Sequence, residues 1–390
     1  MIDVQSFISK ELHSLLFLEE FVFARNKFSA SATSELELAD AVVMLGDVLI
    51  IYQIKERSPK QGGDAAAEHR WFQAKVLGKA TKQVRDTLRY LETYAEVYVP
   101  NERGRIFNLA AGAFTEILKV VVYMPSPNLP ADCRCIRHHI SGSAGLIHIL
   151  DARDYLELAR TLRVPEEVVR YFRYREAVLT RFTSDCGALP EPAIAGHFVG
   201  GDPNVRPTVL SAIHLHRLVD DAVDWDLAPF MRGLHDHLAT PEGNDDYYEI
   251  LIEFAKLPRS VWRTVKERIV HCLGKVSNDE LARPYRIVDP RTGCGFVFIP
   301  VTSELVRNPN WSTIKLRGLK QLTAAHKYDQ RLSKCIGVII GKDGKYFDIS
   351  WCLINGEWAR DPDLESALAA NFPFRPVKLA EIQGYHLRSE

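Results

Sequence analysis

The sequence predicts an α/β chain: an N-terminal domain over residues 1–185, with an opening helix, a hairpin, further strands and helices among them, and a C-terminal α+β domain over residues 186–390. Three observations predict it. The length of 390 residues exceeds one ordinary core. Apolar residues in the first half switch repeatedly between helical spacing and strand-like runs, the mark of alternating elements. The stretch CGALPEPAIAG at 186–196, with two prolines and two glycines, is the best linker candidate.

Val4, Phe7, Ile8, Leu12, Leu15 and Leu18 recur at three- and four-residue spacing and predict a first helix. A loop over Arg25 to Ser34 follows. Leu38 to Leu45 and Val48 to Ile54 are β-rich runs joined by Gly46-Asp47, and Gly at the first turn position suits a type II′ hairpin. SPKQGGDAAA, from Ser58 to Ala67, reads as a mobile loop. Leu77, Ala80, Val84, Leu88 and Leu91 then mark a helix over Trp71 to Tyr94. Ile106 to Leu109, Ile117 to Tyr123 and Gly145 to Leu150 read as strands, with helices from Asp151 to about Phe182. Thr208 to Leu257 looks mostly helical, as does Ser260 to Leu273. The last hundred residues carry strands at Cys294–Val301, Ile336–Ile340 and Tyr346–Leu353, with a helix near Ser312–Tyr328.

Composition narrows the class. Forty-nine Lys and Arg against 50 Asp and Glu give a formal net charge of −1, so the whole chain does not advertise a polyanionic partner. Apolar content of 46% and charged content of 25% exclude a mainly disordered chain. No apolar run approaches the roughly 20 residues of a membrane helix, and the N-terminus lacks a secretory pattern, so the expectation is a cytoplasmic protein without a membrane partner. Seven scattered cysteines suit reduced, mostly buried thiols.

Chemistry concentrates on the hairpin. With Gly46 and Asp47 as turn residues, Leu45 faces Val48 and Asp40 falls opposite Gln53. Lys55, two residues on, projects from the same face. Burying three such groups unpartnered would cost several kcal/mol, so they satisfy one another or hold something. A hard cation suits carboxylate and amide oxygens. Glu11 adds a fourth group, in the apolar stripe between Phe7 and Leu15.

These residues give the chain a likeness. A helix with an inward Glu, an Asp on one hairpin strand and a (D/E/Q)-x-Lys triplet on the next resembles the PD-(D/E)XK nuclease superfamily, the restriction-endonuclease-like fold of a central mixed sheet with flanking helices. The segment ELADAVVMLGDVLIIYQIKER, Glu37 to Arg57, carries the match, and the resemblance covers roughly residues 1–180. It implies that Asp40, Gln53 and Glu11 bind a catalytic Mg²⁺, with Mn²⁺ as a substitute, and that Lys55 positions or activates the attacking water. Gln83 matches a polar position used by several branches. Gln53 departs from the usual Asp or Glu: it offers an oxygen but no charge, which lowers metal affinity unless Glu11 compensates.

Substrate binding has a local signal. Between Lys55 and Arg89 nine basic residues face four acidic ones, a difference of +5. Arg57, Lys75, Lys79, Lys82, Gln83 and Arg89 are the expected nucleic-acid contacts, most of them on one basic helix face. The bland reading is a solvated surface. Other clusters are read blandly too: His214, His216 and His235-Asp236-His237, Cys133 and Cys135 with His138 and His139, the acidic run Asp220 to Asp226, and the turn glycines Gly293 and Gly295.

The expected function is a metal-dependent endonuclease acting on DNA rather than RNA, with defence against foreign DNA as the family-level association. The alternative is a catalytically degenerate nuclease-fold protein that binds nucleic acid or assembles complexes. The C-terminal half carries no interpretable motif; substrate selection, partner binding and homodimerisation are the roles open to it.

Overall fold

The structure, a computed structural model, describes residues 3–31, 34–57, 63–110, 114–200, 202, 204–218, 222–237 and 246–379. It is mixed α/β and divides into two compact units, Met1–Asp220 and Asp221–Gln383, each built on its own sheet. No helix among the described residues is long and apolar enough to cross a membrane.

The first unit opens with a helix over residues 4–17 (α1), whose middle, Phe7–Leu12, is π-helical. Six strands follow in its main sheet: β1 (Val22–Phe23), β2 (Ala41–Leu45), β3 (Val48–Glu56), β4 (Glu116–Met124), β5 (His138–Ser141) and β6 (Gly145–Asp151). Their spatial order is β1-β2-β3-β4-β6-β5. The two central pairings, β3 with β4 and β4 with β6, are parallel, and the outer ones are antiparallel. The parallel β3–β4 pair requires a crossover, supplied by a helix over residues 65–93 (α2), π-helical over Phe72–Ala80. Asp64 caps its start by accepting from Ala67 N–H at 2.8 Å.

Strand alternation assigns the faces. Gln53 and Lys55 stand in register with Val121 and Tyr123, and those two residues pack with Phe72, Val76, Ala80 and Val84 of α2. Tyr52, on the opposite face, packs against His13 of α1 and Tyr155. A hairpin of Lys27–Ser31 and Ser34–Glu37 lies outside the main sheet.

The second unit carries β7 (Tyr285–Asp289), β8 (Cys294–Pro300), β9 (Lys334–Asp343), β10 (Tyr346–Asn355) and β11 (Lys378–Leu379), ordered β10-β9-β8-β7-β11. A helix, Trp311–Asp329, joins the parallel β8 and β9, and Leu319 and Ala325 on it pack against Val297 and Ile339.

Four expectations change. Residues 27–31, read as loop, form a strand because Phe28 is buried and pairs across to Leu36. The linker expected at 186–196, and with it the boundary at 185/186, falls inside the first unit. Glu191 begins a helix, Glu191–Gly200, and is buried in an ion pair with Arg175 at 2.6 Å. Strand β7 has no counterpart in the sequence reading. The loop expected over Ser58–Ala67 becomes helix from Ala65, while residues 58–62, Lys60 among them, lie outside the described residues. The side chains of His235, Asp236 and His237, and the residues Asp220 and Asp221, also lie outside them.

Candidate active site

The hairpin register is Leu45↔Val48 through Ala41↔Tyr52, and Gly46 takes a positive φ of 64° at the turn. One step beyond the last pair, Asp40 leaves the strand, and its side chain takes over the ladder. Oδ2 accepts the Ile54 N–H at 2.6 Å and Lys55 Nζ at 2.9 Å. Oδ1 accepts Gln5 Nε2 from α1 at 2.9 Å. Lys55 Nζ also donates to Ile54 O at 3.0 Å and, at 3.4 Å, to Gln53 Oε1.

The approach to Asp40 is held from two sides. Buried Asn26 accepts the Ala39 N–H at 3.1 Å, and its main-chain carbonyl accepts that of Leu38 at 3.2 Å. Thr87 of α2 donates its hydroxyl to Leu38 O. The segment thus lies against α2, and the space between them is a cleft of about 220 Å³ lined by Glu37, Leu38, Ala39, Asp40, Gln53, Gln83, Asp86 and Tyr90. Gln83 Oε1 is buried there without a hydrogen-bond partner, a vacancy that costs about 1–3 kcal/mol unless something donates to it or is ligated by it.

The predicted residues separate into groups. Asp40, Gln53 and Lys55 come together, and Gln83 joins Asp40 and Gln53 at the cleft. Lys55 does not line the cleft but is fixed by Asp40, which does. Glu11 does not join: it is exposed, as is Leu15, because the π-helical turn rotates the buried stripe onto Ile8, Leu12 and Leu16. Gln5 takes the place expected of α1. Arg57 is engaged elsewhere: its Nε lies 3.1 Å from buried Glu68, whose carboxyl, despite burial, is held below its ordinary pKa by the Gly63 N–H and by Arg57. Lys75, Lys79, Lys82 and Arg89 are exposed along α2, as expected. Lys82 and Arg89 both pair with Asp86, at 2.6 and 3.0 Å.

Sequence reasoning missed Gln5, Glu37, Asp86 and Tyr90. The signal for the last two was available, because 83, 86 and 90 share one helix face at three- and four-residue spacing. Lys55 offsets Asp40, and Lys82 and Arg89 offset Asp86, so what the cleft offers a cation is oxygen donors, Gln83 Oε1, Gln53 Oε1 and Asp40 Oδ1, with the Glu37 carboxylate beside them.

Comparison with family models, with curated proteins and with solved structures returns no match.

Proposed function

We propose that the first unit is a metal-dependent endonuclease of the PD-(D/E)XK type, with the restriction-endonuclease-like fold, hydrolysing phosphodiester bonds of DNA in the cytoplasm. One observation carries the reading: Asp40, Gln53 and the unpartnered Gln83 Oε1 converge on one cleft, with Lys55 anchored to Asp40.

The donor set fits a hard divalent cation. Asp40 Oδ2 is occupied by two donors, but Oδ1 accepts only one, and Gln53 Oε1 has only a long contact. Asp40, Gln53 and Gln83 would therefore hold Mg²⁺, or Mn²⁺ in its place, through oxygens. Bound there, the ion supplies charge against the non-bridging phosphate oxygens and makes water nucleophilic near neutral pH.

The chain's own residues do the rest. Gln5 and the Ile54 N–H fix the plane of the Asp40 carboxylate. Lys55 holds Asp40 and Ile54 firmly and Gln53 weakly, so a phosphate oxygen or water at the cleft displaces only the 3.4 Å contact. Lys75 and Lys79 precede Gln83 at four-residue steps and give an incoming backbone a basic ridge leading to the cleft. Gln53 brings no charge, Glu11 is exposed and Asp86 is already held by Lys82 and Arg89, so Glu37 is the carboxylate left to compensate.

The test is incubation of purified protein with plasmid, single-stranded DNA and RNA, with Mg²⁺ or Mn²⁺. Metal-dependent DNA cleavage lost in Asp40→Asn and Lys55→Ala is the expected result. No product with either metal, with salt-sensitive binding intact, overturns it and leaves the non-cleaving nuclease-fold module, the reading that neutral Gln53 favours. Defence against foreign DNA is the biological setting this activity would suit.

A further inference from the structure

A second group of ligand-type side chains lies away from the cleft. His69 sits on the first turns of α2, and Asp132 and Cys133 on a short helix, Ala131–Arg134, more than sixty positions later in the chain. Their ligand atoms, one imidazole nitrogen, one carboxylate oxygen and one sulfur, all lie within 4.8 Å of one another. None of the three side chains makes a hydrogen bond or ion pair with another described residue.

The backbones that bring them together are fixed independently. Cys133, 1% exposed, belongs to the same buried cluster as Trp71, Phe72 and Leu129. Asn128 Nδ2 donates to Gly63 O at 3.0 Å, and the Arg57 N–H donates to Met124 O at 3.0 Å, which ties the start of α2 to the segment after β4. The trio is thus a consequence of core packing and not of one mobile loop.

We infer that His69, Asp132 and Cys133 form a binding site for one zinc ion. A mixed nitrogen, oxygen and sulfur set selects zinc over magnesium or calcium, because thiolate and imidazole are poor ligands for hard cations. Tetrahedral zinc sets its ligand atoms roughly 3.3–3.6 Å apart, given bonds of about 2.0–2.3 Å, so side-chain adjustments of about 1 Å close the group around the ion. Three protein ligands leave the fourth position to water. On binding, the Cys133 S–H bond breaks, its proton passes to solvent, and the sulfur bonds to zinc, so affinity rises with pH. Burial first, and then Asp132, raise the Cys133 thiol pKa in the metal-free protein, which the cation reverses. The bound ion would staple the start of α2 to the segment after β4. Through Glu68, the residue before His69, it would steady Arg57 at the end of β3.

The experiment uses the full chain. Zinc is titrated calorimetrically, and Co²⁺ replaces it as a spectroscopic probe, its sulfur-to-metal charge-transfer band reporting Cys133. Expected are one ion per chain, the band lost in Cys133→Ser, and affinity in His69→Ala and Asp132→Asn reduced by more than the ~10–100-fold that an outer-shell change costs. His69 and Asp132 are not in the core, so these two variants fold even where Cys133→Ser does not. Asp40→Asn should bind zinc with unchanged stoichiometry, which separates this site from the cleft. Zinc binding that His69→Ala and Asp132→Asn leave unchanged would place the metal on other cysteines and overturn the assignment, as would no stoichiometric binding at all.

Discussion

Two polar clusters of the first unit use the same kinds of groups to opposite ends. On one side of the sheet, Arg175 is fully buried and every N–H of its guanidinium is engaged: two with Glu191, at 2.6 and 3.1 Å, and the others with Ile149 O, Arg137 O and His148 Nδ1. Tyr171 donates its hydroxyl to Glu191, and Arg137 stands 3.6 Å from it. Because His148 Nδ1 accepts, its neutral ring carries the proton on Nε2, which is buried without a partner, so the closure belongs to the Arg175–Glu191 charge pair itself. At the cleft, by contrast, the hydrogen bonds among Asp40, Lys55, Gln5 and Gln53 leave Gln83 Oε1 unpartnered and Gln53 Oε1 held at 3.4 Å. A closed set of partners makes a buried charge structural, and an open set beside a cavity makes it available.

That contrast predicts opposite losses. Arg175→Met should leave Glu191 buried and under-paired and cost about 3–5 kcal/mol of stability, read by urea denaturation, with cleavage per folded molecule retained. Asp40→Asn should do the reverse. Asn keeps an oxygen for the Ile54 N–H, so stability should fall by no more than about 2 kcal/mol. Metal-dependent cleavage should drop by at least on the order of 10²–10³-fold, the scale seen when one stabilising group is removed from a polar site. If Arg175→Met abolished cleavage at unchanged stability, the division between the clusters would be wrong.

How much of this was legible in the sequence follows from how local each feature is. The hairpin was readable because a two-residue turn leaves one register, and that register alone places Asp40 opposite Gln53. Glu11 misled because a π-helical turn shifts the buried stripe by about one position over Phe7–Leu12, and no spacing rule announces it. The linker misled because Pro190 and Pro192 read as punctuation, whereas Pro192 occupies the first turn of a helix, where proline is tolerated. What holds that helix is Glu191 meeting an arginine from another element, a tertiary fact. The same applies to His69, which no local pattern connects to Asp132 and Cys133.

Acid should attack the closed cluster and the core beneath the hairpin. Burial lowers the His13 pKa from 6.5 to about 3, and burial, then Arg175, lower that of His148 well below 6.5. Both folded values lie below the unfolded one, so the unfolded chain binds more protons and stability falls as pH drops from about 6.5. For Glu191 burial is the largest single influence and raises the carboxyl pKa, but the charge and hydrogen bonds of Arg175, the Arg137 charge and the Tyr171 hydroxyl together outweigh it and lower the pKa, so its contribution is present above about 4.5 and is lost as pH falls through the folded value. His13 alone should account for about 2 kcal/mol between pH 7 and 5, at about 1.4 kcal/mol per pH unit. Urea midpoints at the two pH values should show this loss, and His13→Phe should flatten the dependence by that amount. An unchanged slope in His13→Phe would mean that this imidazole is not held neutral.

The smallest expected effect tests the same distinction on the surface of α2. Lys75 and Lys79 make no ion pair with a described residue, whereas Lys82 and Arg89 already share Asp86. A lysine that neutralises a phosphate adds about 0.9 to the slope of log affinity against log salt. Lys75→Ala and Lys79→Ala should each reduce the slope for duplex DNA by up to that amount. Lys82→Ala should reduce it by less, because Lys82 is already held by Asp86 at 2.6 Å and neutralises a phosphate only by giving up that pair. Filter binding or fluorescence anisotropy across a salt series measures all three. Equal reductions would show that Asp86 releases Lys82 when nucleic acid arrives; no reduction from Lys75 or Lys79 would mean that the basic ridge is only solvated and that DNA reaches the cleft from another side.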